Sequence, residues 1–149
     1  NKNENFDKLL KFRRICKCKR IDFFIANNIK LLTDLHADGL YISAYNKDLN
    51  LTKFRKKNFK IIGSAHNVHE IRTKETQNCE DIFISPIFHN KYYNRTLGIY
   101  KFINLASNTK KNIIALGGIN NSNFRKINRK FILGFASISW IKKNGLNKI

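Results

Sequence analysis

Gly117 and Gly118 close the apolar run Ile113-Ile114-Ala115-Leu116 and lead into Ile119. Paired glycines at the end of a strand leave backbone N–H groups open to an anion, with no Cβ in the way. An isolated Gly-Gly is more often a plain tight turn. A second strand-like segment, Phe131 to Ala136, ends in Ser137-Ile138-Ser139 and changes those odds. Two neighbouring strand ends of this kind could hold a phosphate between them. Other polar residues fall where further strands should end: Asn27, Asn46, Ser64, His66, Ser85 and Asn90.

These residues need elements to position them, and the hydrophobic patterning supplies them. An amphipathic helix is expected from about Phe6 to Cys18, with Phe6, Leu9, Leu10 and Ile15 at helical spacing. Strands are predicted at Ile21–Ala26, Gly39–Ile42, Phe59–Gly63, Asp81–Ser85, Ile113–Leu116 and Phe131–Ala136. Helices are predicted at Ile29–Leu35, near Leu49 to Lys56, and at Val68–Thr76 and Gly98–Ala106. Two short ones follow, over Asn121–Ile127 and Trp140–Lys143. Pro86 to Leu97 is the longest loop. Repeated strand–helix alternation is the mark of right-handed βαβ units and a parallel sheet. In such sheets functional groups gather at the carboxyl ends of the strands, and in eight-stranded α/β barrels the last two often build a phosphate site. The expected architecture is therefore α/β, of the (β/α)8 TIM-barrel family, with about six of the eight βα units present. Residues 1–149 should form a single domain, and Ile21–Ala26 an exposed edge strand.

Composition narrows the classes. The 149 residues are 42% hydrophobic, enough for one domain with a packed core. No apolar run of about 18 residues exists, so no membrane helix is expected. The net charge of +19 raises a nucleic-acid reading. Against it stand 21 Asn, 21 Ile, one Val and one Pro, a pattern of A/T-rich codons, with the basic residues spread along the chain. Only Tyr92-Tyr93, flanked by Lys91 and Arg95, resembles a basic stacking patch, which argues against RNA binding. The charge does favour anionic ligands, phosphates included. Cys16, Cys18 and Cys79 show neither a disulfide framework nor zinc spacing and fit a reducing, cytoplasmic setting.

The strand-end segments resemble the thiamine phosphate synthase and thiazole tautomerase superfamily of phosphate-binding barrels. The likeness runs through Ala37-Asp38-Gly39, Ile61 to His66, Ser85-Pro86-Ile87-Phe88, Leu97-Gly98, Ile113 to Ile119 and Gly134 to Ser139. The resemblance implies a transferase of thiamine biosynthesis. Such an enzyme joins a hydroxymethylpyrimidine pyrophosphate to a thiazole phosphate and releases pyrophosphate, by stabilising developing charge. By position, Asn27 and Ser64 match contacts to the pyrimidine pyrophosphate, and Gly118, Ile138 and Ser139, beside Gly117, match the thiazole-phosphate cradle.

The departures matter as much. The family's two magnesium aspartates fall at Asn28 and Asn46, both neutral, which should weaken a magnesium site. The threonine-rich substrate loop becomes Asn90-Lys91-Tyr92-Tyr93, with Lys91 or Arg95 as the available cations. The tautomerase histidine would fall near Ser85-Pro86, where none stands, although His66 and His89 are close by. The first two strands of the family have no counterpart, and with no methionine in the chain a C-terminal portion of a longer protein is expected. The alternative is a non-catalytic or tautomerase-like relative that binds a phosphorylated small molecule.

Overall fold

In the computed structural model, which describes residues 2–50, 59–89, 95–127 and 129–144, strand and helix alternate much as the patterning predicts. The elements run α1 (Lys2–Cys18), β1 (Phe24–Ala26), α2 (Ile29–Asp34), β2 (Gly39–Ile42), β3 (Lys60–Ala65), α3 (Val68–Thr76) and β4 (Asp81–Ile84). They continue with α4 (Gly98–Ser107), β5 (Asn112–Leu116), β6 (Gly134–Ala136) and α5 (Ile138–Asn144). The helix expected near Leu49 to Lys56 falls almost wholly outside the described residues.

The six strands form one sheet in the order β1-β2-β3-β4-β5-β6, every neighbouring pair parallel. Central strands are covered on both faces: Leu40, Ile42, Ala65, Ile82, Ile84 and Ala115 have no exposed surface. That is why they read as continuous apolar runs rather than as alternating ones. Helices α2, α3 and α4 pack against β1, β3 and β4 respectively. β1 and β6 are the two edges of the sheet, and β1 is the open edge anticipated from the sequence.

Several boundaries move, each for a local reason. β1 starts at Phe24 rather than Ile21, because Ile21 N–H donates to the Cys16 carbonyl and ends α1. The Phe23 N–H is taken by the Asp38 carboxylate at 2.7 Å, and Arg13 holds that same carboxylate at 2.8 Å. Cys16, not Ile15, is the buried residue in the last turn of α1, and Ile15 faces outward. β3 runs two residues past Gly63, pairing Ser64 with Phe83 and Ala65 with Ile84. β6 keeps only Gly134–Ala136 of the predicted strand, since Phe131 lies in a 3₁₀ turn (Arg129–Phe131). The predicted helix over Asn121–Ile127 contracts to a 3₁₀ turn at Phe124–Lys126. Here Asn120 and Asn123 side chains take the backbone N–H groups of Ser122 and Asn120, the usual competition between asparagine and helix.

At the amino ends of the strands, buried Asp81 is paired with Lys60 and accepts a hydrogen bond from Asn112 at 3.0 Å. The Asp81 carboxylate is thus satisfied internally. The loops that could meet a ligand lie at the other end.

Candidate functional site

Gly117 and Gly118 both adopt left-handed backbone, with φ of 101° and 68°. A side chain could not be added to either. A Cβ at Gly118 would lie 2.5 Å from the Phe88 carbonyl oxygen, and one at Gly117 would lie 2.6 Å from Pro86 Cα. The two glycines thus let the β5 loop run against the segment after β4, whose Ile87 and Phe88 N–H groups donate to the Leu116 and Gly117 carbonyls.

Beyond them the Ser137 hydroxyl donates to the Ile119 carbonyl at 2.6 Å, fastening the end of β6 to the β5 loop. The first turn of α5 follows, where the N–H groups of Ile138 and Ser139 have no acceptor within the helix. Gly117, Gly118, Ile138 and Ser139 all line one cleft of about 570 Å³. The fold therefore brings together the four residues that the sequence marked as a phosphate cradle. Trp140 and His89 also line it. Trp140 stacks on Phe135 with ring centroids 5.6 Å apart, which sets one wall of the cleft. A Trp three residues after a strand-end serine was the available signal for it.

A second cluster forms at the ends of β1 and β2. Asn27 has φ of 52°, a conformation asparagine tolerates better than most residues. Its Oδ1 accepts from Ser43 N–H and from Asn46 Nδ2, each at 3.0 Å. Its Nδ2 donates to Ser43 Oγ at 2.8 Å and to the Tyr45 hydroxyl at 3.4 Å. The Asn27 amide is saturated, and its weakest partner is exposed Tyr45. Ser64 is buried within β3 and does not line the cleft. Asn90, Lys91 and Tyr92 lie outside the described residues.

His66 Nδ1 lies 2.7 Å from the Ser85 carbonyl, so Nδ1 carries the proton and the ring is a hydrogen-bonding fixture between β3 and β4. Its backbone N–H is taken by Glu70, which with Asn67 caps α3 reciprocally.

The magnesium positions are occupied differently from a metal site. Asn28 Oδ1 caps α2 by accepting Leu31 N–H at 2.9 Å, and Asn46 Oδ1 accepts Asp48 N–H at 2.9 Å. Hard divalent cations take carboxylates, whereas both of these oxygens are neutral and engaged. Among the described residues no group of three His, Cys, Asp or Glu could hold a metal ion. The donor set does not fit magnesium.

Beneath Asn46 sits a feature the sequence reading missed. Lys74 of α3 is fully buried, and its Nζ donates to the Asn46 carbonyl at 2.7 Å and to Gln77 Oε1 at 2.8 Å. Burial pushes the Lys74 pKa down, against the opposing pull of Cys79 and Glu70. Burial likewise pushes the Cys79 thiol up to about 11, with Lys74 and Lys111 pulling the other way. The signal was present in α3: position 74 lies three residues after core-facing Ile71, on the same side of the helix.

Comparison with known proteins bears on the family and the fold. Residues 1–141 match the family described as "Thiamine monophosphate synthase". The thiamine-phosphate synthase of Pelagibacter ubique is 31% identical, the match covering 95% of this chain and 72% of that protein. This chain belongs to the thiamine monophosphate synthase family. The namesake enzyme of Prochlorococcus marinus is 34% identical over 85% of this chain, and that of Methanococcus maripaludis 26% over 80%. The chain spans only 38% and 58% of those two relatives. A solved structure, "Thiamine phosphate pyrophosphorylase from Pyrococcus furiosus", superimposes with a TM-score of 0.78 at 20% identity, over 93% of this chain and 68% of the other. That likeness shows the fold of the family, here as six parallel strands. No helix among the described residues is long and apolar enough to cross a membrane.

Proposed function

We propose that this chain is the substrate-cradling portion of a cytoplasmic thiamine phosphate synthase. In the full protein it would join a hydroxymethylpyrimidine pyrophosphate to a thiazole phosphate. The bond from the pyrimidine methylene carbon to the pyrophosphate oxygen breaks, the thiazole nitrogen bonds to that carbon, and pyrophosphate leaves.

The observation that carries this reading is the convergence of Gly117-Gly118 and Ile138-Ser139 on one cleft, with Asn27 at the carboxyl end of the same sheet. The cleft takes the thiazole phosphate through backbone N–H groups and the Ser139 hydroxyl. The Asn27 amide meets the pyrimidine pyrophosphate once Tyr45 releases its donor, with Ser64 behind it in β3. Asn90, Lys91 and Tyr92, outside the described residues, are further candidates for substrate binding from the sequence. A net charge of +19 draws both phosphorylated substrates to the protein.

The test is steady-state turnover by the full-length protein with both substrates, following thiamine phosphate and released pyrophosphate. Product formation that fails in Ser139→Ala at sub-saturating thiazole phosphate supports the reading. Tight binding of the thiazole phosphate without product would instead favour a second reading, a binding or tautomerase-like relative. Neutral Asn28 and Asn46 are the specific observation on that side.

A further inference from the structure

Lysine is almost never fully buried without a carboxylate partner. Lys74 is, and among the described residues the ion pairs are Arg13–Asp38 and Lys60–Asp81. Its hydrogen-bond partners are neutral acceptors instead, and the Glu70 charge acts on it from beyond ion-pair distance. Nζ reaches the Asn46 carbonyl and Gln77 Oε1, while Gln77 Nε2 donates to the same Asn46 carbonyl at 3.0 Å and to the Asp48 carbonyl at 3.1 Å. One helix thus grips one loop by two side chains. Gly63 makes the room: a Cβ there would lie 2.8 Å from Lys74 Cδ and 2.8 Å from Cys79 Sγ. The gripped loop is the one whose Asn46 side chain donates to Asn27 Oδ1.

We infer that Lys74, with Gln77, is a positioning residue that fixes the loop after β2 so that Asn46 and Ser43 hold the Asn27 amide in place for the pyrimidine pyrophosphate. The chain is continuous: Lys74 and Gln77 hold the Asn46 backbone, the Asn46 side chain holds Asn27 Oδ1, and Ser43 holds both ends of the Asn27 amide. The loop is ordered from beneath, by Lys74 Nζ at the Asn46 carbonyl and by Gln77 Nε2 at the Asn46 and Asp48 carbonyls. The inference rests on the proposed role of Asn27, and its test has an arm independent of that role.

The experiment compares full-length parent protein with Lys74→Met, which keeps the apolar stem, and Gln77→Leu, which removes the second grip and one of the two acceptors of the ammonium while leaving its bond to the Asn46 carbonyl. Amide hydrogen exchange is the first readout. The N–H groups of Ser43, Asn46 and Asp48 should exchange at least tenfold faster in both variants, while those of Ile87 and Leu133, which bond to β5, should not change. The second readout is kinetic: KM for the pyrimidine pyrophosphate should rise about tenfold or more, and KM for the thiazole phosphate should stay within about twofold. Unchanged exchange at 43–48, or an equal acceleration at both ends of the sheet, overturns the inference. If Lys74→Met does not fold, Gln77→Leu decides by the same two criteria. A parent without synthase activity would refute the proposed function, and the exchange measurement would still decide whether Lys74 orders the loop.

Discussion

The Ser137 hydroxyl donates to the Ile119 carbonyl at 2.6 Å, and both residues are buried. This one bond couples the end of the edge strand β6 to the glycine loop of β5, so it sets the separation of the two halves of the cleft. Ser137→Ala leaves a buried carbonyl without that partner, which costs about 1–3 kcal/mol. The expected result is a lower denaturation midpoint together with a raised KM for thiazole phosphate. A fall in stability with unchanged KM would show that the cleft does not depend on the coupling.

Gly118→Ala should be costly before any ligand is considered. The residue sits at φ 68°, and a Cβ would meet the Phe88 and His89 carbonyl oxygens at 2.5 and 2.7 Å. Strain and displacement of the loop after β4 together should exceed about 2 kcal/mol, measured by chemical denaturation. A substitution at Gly118 therefore reports on the backbone as well as on the anion. Ser139→Ala is the cleaner probe of phosphate binding.

Restoring carboxylates at the two asparagines should have unequal effects. Asn28→Asp keeps a good N-cap for α2, so stability should stay within about 0.5 kcal/mol. Asn46→Asp replaces the Nδ2 donor to Asn27 with an acceptor, so two oxygens would face each other and about 1–2 kcal/mol should be lost. Thermal denaturation of the two single variants checks this order. If magnesium restores Asn46→Asp to the parent's stability, the loop does hold a latent metal site.

The Cys79 thiol makes stability fall in alkali. Its pKa is raised from about 9 to about 11 on folding, so between those values the folded state binds the extra proton and the unfolded state does not. Stability from this group is full below about pH 9 and declines as pH rises to about 11, by roughly 2–3 kcal/mol at most. Lys74 works oppositely: its lowered pKa relieves a burial penalty as pH rises towards 10.5. Cys79→Ala removes the first effect and, with it, the pull of Cys79 on Lys74. Its cost in packing, measured by denaturation at pH 8 and at pH 10.5, should therefore be smaller at the higher pH.

The strands and the glycine-ended loop of β5 were legible in the sequence because their information is local. Gly39–Ile42 and Val68–Thr76 coincide with their predicted bounds, since apolar runs, asparagine caps and helical spacing act over a few residues. The pairing of Gly117-Gly118 with Ile138-Ser139 could also be foreseen, because parallel strands in sequence order place successive loops side by side. What the sequence left open depended on atoms far apart in the chain. The Asn-rich stretch after Ile119 is the local exception, its helix lost to side-chain bonds two and three residues away, whereas β1 lost its first residues to the turn after α1 and to the Asp38 carboxylate. Asparagines at 28 and 46 appeared as weakened metal ligands, yet one caps a helix and the other is a link between loops. Lys74 belongs to none of the sequence motifs. Only tertiary packing, with Gly63 clearing its path and the Asn46 carbonyl waiting 28 residues away, made it a buried anchor. Burial and hydrogen-bond partnership are decided by which elements meet, and that is a property of the folded sheet rather than of any one segment.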